Sequence, residues 1–191
     1  MSTEGITRRT ETTPRTRADA GKPLASYPAS TVGRLMSKQV HRVGVDASLN
    51  EAARLMWDRD IGAVPVVDGQ GKVVGMVTDR DIAMAAYIQG KPLTRIPVRS
   101  VMSRDVISLS SAEPLHKAST LMRRHQIRRL PIVDEQGVAS GMLTLSDLAR
   151  SSITGEGDGL TEHDLADTLC SICAPRTSLG AEGETMLGAP A

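Results

Sequence analysis

The sequence predicts an α/β fold of α+β type: two tandem β-α-β-β-α repeats packed with pseudo-twofold symmetry. Three observations carry this. Met36-Ser37 recurs as Met102-Ser103, a shift of 66 that also maps Leu49 on Leu115, Ala52 on Ala118, Pro65 on Pro131 and Gly75-Met76 on Gly141-Met142. The register needs no gap over about fifty-five positions, the signature of repeated supersecondary units. Within each period a helical spacing alternates with short apolar runs. A single unit of this size also leaves a sheet face it cannot cover, which two copies bury against each other.

Each repeat opens with a short helical turn, Val32 to Met36 or Val98 to Met102. A brief strand follows around His41 to Val43, or Ile107 to Leu109. The next helix runs from Leu49 to Arg59 or from Leu115 to His125. Its apolar positions 49, 52, 53, 55 and 56, mirrored by 115, 118, 121 and 122, make one face. Two strands come next, Val64 to Val67 and Val73 to Thr78 in one copy, Leu130 to Val133 and Ala139 to Thr144 in the other. Asp68-Gly69-Gln70-Gly71 and Asp134-Glu135-Gln136-Gly137 supply the turn chemistry between them. A last helix begins at Arg80 and runs to about Tyr87, or at Ser146 to Arg150 and a little beyond. The organisation expected is therefore a disordered tail (1–27), repeat 1 (28–88), a linker (89–97), repeat 2 (98–152), a Ser/Gly/acidic linker (153–159), a short amphipathic helix carrying Leu165, Leu169 and Ile172 (160–175), and a disordered tail (176–191).

Apolar residues make up 40% of the 191 and charged residues 24%, enough for a packed core. Aromatics are only 2%, with no Phe, so that core is aliphatic and the composition argues against a stacking platform for single-stranded nucleic acid. The net charge of +1 is unevenly spread: +2 over residues 1–27, +5 over 28–150 and −6 over 151–191. A mildly basic middle fits a phosphorylated small molecule better than a nucleic acid. No apolar run reaches membrane-span length and the N-terminus has no signal-peptide core, so a cytoplasmic protein without a membrane role is expected.

The chemistry concentrates in Gly75-Met76-Val77-Thr78-Asp79-Arg80-Asp81 and its copy Gly141-Met142-Leu143-Thr144-Leu145-Ser146-Asp147. Thr78-x-x-Asp81 and Thr144-x-x-Asp147 read as helix starts of capping-box type. A strand running into a helix N-terminus can offer backbone N–H groups to an anion such as phosphate, and a carboxylate beside it can accept hydrogen bonds from a pair of ribose hydroxyls. Two readings stand from the residues alone: the motifs cap helices and nothing more, or they also hold a phosphorylated nucleoside.

With these motifs in order and duplicated, the chain resembles the cystathionine β-synthase (CBS) domain family in its tandem form, the Bateman module, over residues 31 to 152. The resemblance rests on Val-x-x-x-Met-Ser near each start, apolar-Pro-apolar-apolar-Asp at 64–68 and 130–134, and Gly-apolar-apolar-Thr-x-x-Asp at 75–81 and 141–147. The wording Thr78-Asp79-Arg80-Asp81 is similar to that of small stand-alone bacterial members such as the mycobacterial hypoxic response protein family. The resemblance implies a non-catalytic, sensing module for AMP, ADP, ATP, S-adenosylmethionine or NAD. In that family the motif Thr meets phosphate and the Asp meets ribose, which here means Thr78, Asp81, Thr144 and Asp147. Basic residues before the repeat's proline often meet phosphate, the place of Arg128 and Arg129; repeat 1 has Gly62 and Ala63 there. A disk-like homodimer meeting through helices is also implied, with no cofactor required, magnesium accompanying a nucleotide, and an unknown protein target. The residue chemistry agrees. Arginines give forked, permanent donors for phosphate, Arg80 is a further ligand candidate, and apolar strands around Val43, Val64 and Pro65 offer a slot for a purine.

Other features carry less. His163, Cys170 and Cys173 fall short of a zinc set in number and spacing, and Cys-x-x-Cys lacks a redox context. No metal site is expected. The methionines at 36, 56, 76, 102, 122 and 142 read as core filler, and Trp57 and His125 as packing or interface residues. No catalytic constellation is present. The arm residues Arg8, Arg9, Arg15 and Arg17 are the only nucleic-acid candidates and read as a solvated tail. The alternative to a sensor is a ligand-free scaffold acting through its tails or helical face.

Overall fold

The structure, a computed structural model, describes residues 31–154 and 160–175. The tails expected at 1–27 and 176–191, with the basic arm, lie outside these residues, as does most of the 153–159 linker.

Each hairpin is fixed by its turn. Gly71 (φ 81°) and Gly137 (φ 82°) hold the left-handed conformation that closes it, and Asp68 Oδ1 and Asp134 Oδ1 each accept two backbone N–H groups inside it. Strands β2 (Ala63–Val67) and β3 (Val73–Thr78) thus pair antiparallel, as do β4 (Arg129–Val133) and β5 (Ala139–Thr144), in matching register. The first strand is shorter than expected. β1 (Val43–Gly44) pairs parallel with β2, and in repeat 2 only Leu109 bridges, to Ile132. Beyond it the chain turns away, and Ser111 O and Glu113 O accept from Gly33 N and Val32 N, both at 2.8 Å.

Helices α2 (Leu49–Arg59) and α4 (Leu115–His125) bury the predicted faces, with Leu49, Ala52 and Met56 in one copy and Leu115, Ala118 and Met122 in the other. Helix α3 (Asp79–Gln89) ends at Gly90, whose φ of 58° closes the last turn. The linker beyond it is not free: Ile96 is fully buried in the repeat 1 core and its carbonyl accepts from Leu49 N at 2.8 Å.

The leader segments are exchanged between the repeats. Helix α1 (Val32–Leu35) stands at the head of repeat 1, yet Val32 and Met36 pack in the core of repeat 2 with Leu115, Leu130 and Leu143. Conversely, Val98, in the turn Val98–Ser100, packs in the core of repeat 1 with Leu49, Val64 and Val77. Backbone bonds seal both exchanges: Ser37 pairs with Met142 and Ser103 with Met76, all four bonds between 2.9 and 3.0 Å. Glycine permits this approach. A Cβ on Gly75 would lie 2.6 Å from Met102 Sδ and 2.9 Å from Ser103 O, and Gly141 faces Met36 and Ser37 in the same way.

The C-terminal region departs from expectation in two places. Helix α5 (Leu145–Thr154) runs on past Ser151 and Ser152 into the expected 153–159 linker. Ser151 is buried and its hydroxyl donates to Leu148 O at 2.8 Å, while Ser152 donates to Ala149 O at 2.9 Å; such local bonds let serine sit inside a helix. Helix α6 (Glu162–Cys173) starts on the capping box Thr161/Asp164 and packs on α4 and α5. Leu165 and Ile172 face the core, but Leu169 is exposed. The buried position is Thr168, whose hydroxyl lies 2.7 Å from that of Ser119.

Candidate ligand-binding clefts

Thr78 and Thr144 end β3 and β5 and start α3 and α5, so each hairpin delivers its motif to a helix N-terminus. The capping boxes form in full. Asp81 Oδ2 accepts from Thr78 N at 2.8 Å and from Thr78 Oγ1 at 2.7 Å, while Asp81 N donates to Thr78 Oγ1 at 3.2 Å. Asp147 and Thr144 repeat the pattern at 2.9, 2.6 and 3.2 Å. Each threonine's hydroxyl proton therefore points at its own aspartate. A phosphate can accept from Thr78 or Thr144 only after that bond opens.

The outer carboxylate oxygens differ. Asp81 Oδ1 has no hydrogen-bond partner among the described residues, whereas Asp147 Oδ1 accepts from Arg150 Nη2. Met84 occupies the repeat 1 position matching Arg150.

The helix donors differ as well, and correct the expectation of a helix N-terminus open to an anion in repeat 1. Thr78 N is taken by Asp81, Asp79 N donates to Gly62 O at 3.3 Å, Arg80 N to Asp79 Oδ1 at 2.7 Å, and Asp81 N to Thr78 Oγ1. All four leading N–H groups are satisfied. In repeat 2, Leu145 replaces Asp79, and Ser146 N has no partner among the described residues. Repeat 1 thus presents an open acceptor and repeat 2 an open donor.

The positive charge missing from the repeat 1 sequence comes from repeat 2. Arg129 starts β4, but its guanidinium reaches across to repeat 1. A Cβ built on Gly62 would lie 3.2 Å from Arg129 Nη2 and 2.8 Å from Asp79 Oδ2. Burial and then the neighbouring Arg128 press the Arg129 pKa below its usual value, and Asp79 opposes both. Gly62, where repeat 2 has Arg128, leaves the space for this crossing. Arg128 and Arg80 are exposed.

The remaining candidates are apolar. Val43 (7% exposed) and Val64 (0%) have their side chains in the repeat 1 core, and Pro65 is buried in β2. In this structure their side chains do not line an open slot. Among the described residues no cluster of three His, Cys, Asp or Glu side chains can hold a metal, and Cys170 and Cys173 are free and exposed. No helix of the described residues is long and apolar enough to cross a membrane. Asp79, Gly62, Met84 and Arg150 were not singled out as ligand-site residues from sequence. Their signal is the mismatch between copies at the 66-residue shift.

Two β-α-β-β-α units with exchanged leaders and one Thr-x-x-Asp cleft each define a tandem-repeat module rather than two independent domains. The chain belongs to the CBS domain family, whose model matches residues 32–87 and 98–153, and it is a CBS pair, a regulatory module. It is 43% identical over 130 residues to the CBS domain-containing protein YhcV of Bacillus subtilis, covering 68% of this chain and 91% of that one. Among solved structures, the CBS domain pair of MJ0100, crystallised with 5′-methylthioadenosine and S-adenosylmethionine, is 30% identical over 67% of this chain and 98% of that one, with TM-score 0.59. A Hypoxic Response Protein I structure with two coordinated zinc ions is 28% identical over 63% and 97%, with TM-score 0.58. Some relatives are longer: the chain spans 24% of an inosine-5′-monophosphate dehydrogenase of Nitrosopumilus maritimus, at 29% identity.

Proposed function

We propose that this CBS pair is a non-catalytic sensor that binds an adenosine-containing ligand and signals through a change in repeat packing or in a dimer. The observation that carries the reading is Asp81, held through one carboxylate oxygen with the other left open, in the same repeat whose Gly62/Asp79 corner receives the guanidinium of Arg129. Asp81 would take the ribose hydroxyls and Arg129 the phosphate. The MJ0100 pair, crystallised with two adenosine compounds, supports this ligand class. AMP, ADP, ATP, S-adenosylmethionine and NAD are the candidates, with magnesium as a companion of the nucleotides, and the cytoplasm is the proposed compartment.

A thermal-shift panel of these compounds tests the reading. A ligand at about 100 times its dissociation constant adds about 2.7 kcal/mol of stability, a rise of roughly 5–11 °C for a chain of this size. The rise should vanish in the Asp81→Ala/Asp147→Ala double variant. No rise for any compound would overturn the reading.

A second reading, an interaction module, is favoured by the exposed apolar residues Trp57 (62%), Tyr87 (83%) and Ile88 (72%) on α2 and α3. The two readings meet in a homodimer through this helical face. Light scattering at micromolar concentration should give twice the 20.3 kDa chain mass; the monomer mass would exclude the dimer.

A further inference from the structure

Resting on the adenosine-sensor reading, we infer that only the repeat 1 cleft reads the ribose of the ligand, and that Arg150 withholds Asp147 from the same role. The two carboxylates are equivalent by sequence and by capping geometry, but not in what remains of them. Asp147 gives Oδ2 to Thr144 and Oδ1 to Arg150. A ribose diol arriving there must break a charge-assisted bond. Asp81 gives Oδ2 to Thr78 and keeps Oδ1 open, and the thioether of Met84, at the Arg150 position, has no proton to donate.

The second asymmetry points the same way. Arg129 crosses from repeat 2 to the Gly62/Asp79 corner of repeat 1. The residue that would make the return crossing is Ala63, which carries no charge. The open carboxylate oxygen and the crossing guanidinium therefore both fall to repeat 1. The chain takes one adenosine ligand, with Arg150 as a plug on the second cleft.

Both deciding side chains are on the surface, Arg150 66% and Met84 44% exposed, so exchanging them leaves the cores intact; matching thermal unfolding of the unliganded variants checks this. Calorimetric titration of the full chain with AMP should give one site per chain. Arg150→Met should open a second, weaker site. Met84→Arg should weaken the first by about fivefold, the upper range for an exposed ion pair. Two equal sites in the wild type, a single site in Arg150→Met, or unchanged affinity in Met84→Arg overturns the inference and leaves the sensor reading standing. Absence of binding by AMP, ATP and S-adenosylmethionine, in both the wild type and Arg150→Met, overturns the sensor reading and the inference with it.

Discussion

Val32→Ala is expected to loosen repeat 2, although Val32 stands at the head of repeat 1. Its side chain is fully buried among Leu115, Leu130, Ile132 and Leu143. Truncating it leaves a void that the close-packed core fills only in part, at about 2 kcal/mol and a fall of roughly 4–8 °C in Tm. Val98→Ala should do the reverse, since Val98 is equally buried beside Leu49, Val64 and Val77 of repeat 1. Native-state hydrogen exchange separates the two, because proteins open in contiguous cooperative units. Amides of β4 and β5 should lose protection in Val32→Ala, and those of β2 and β3 in Val98→Ala. Loss centred on the variant's own repeat would contradict the exchange of leaders. The functional consequence is that neither repeat has a complete core alone, so a ligand that shifts one leader shifts the other repeat.

Arg129→Ala should lower AMP affinity by tenfold or more, the range of a charge-assisted hydrogen bond, while leaving the unliganded protein as stable as the wild type or slightly more so. The stability half of this expectation comes from burial. The guanidinium is partly withdrawn from water next to a second arginine, and among the described residues Asp79 alone favours its charge. A group kept charged against its surroundings is characteristic of a site built for a ligand rather than for the fold. Arg128→Ala, at an exposed position, should change affinity less. Titration and thermal unfolding of the two variants decide this. A large loss of stability with unchanged affinity in Arg129→Ala would make Arg129 a structural residue instead.

The repeat was fully legible in the sequence because each copy carries its own turn glycine, proline and capping threonine at a constant shift, and these act locally. Helices α2 and α4 followed from the spacing of their apolar positions, and α3 from its capping-box start. The exchange of leaders was not legible, since Val32 is as apolar as any residue of its own repeat and nothing local says whose core it enters. Gly75 and Gly141 were the only trace, as positions where another backbone passes closely. The end of α5 was not legible, because a hydroxyl that bonds to its own helix, as those of Ser151 and Ser152 do, looks in sequence like one meant for solvent. In α6 the buried position is Thr168 rather than Leu169, a choice set by the hydroxyl of Ser119 on α4. At the candidate site, the motif aspartates and threonines were read correctly as a pair, and the structure adds which oxygen is free. The roles of Asp79 and Arg150 depend on side-chain reach across a turn of helix or across the repeat boundary; the mismatch between copies marks the positions but not that reach.

The most direct test of the account compares AMP with its 2′,3′-dideoxy analogue on the wild type and on Asp81→Ala by calorimetric titration. If Asp81 reads the ribose diol, the analogue binds the wild type at least tenfold more weakly than AMP, and the two compounds bind Asp81→Ala with equal, low affinity. Equal binding of AMP and the dideoxy analogue to the wild type would contradict the account, because a ligand would then occupy the chain without engaging the one open carboxylate around which the cleft is organised.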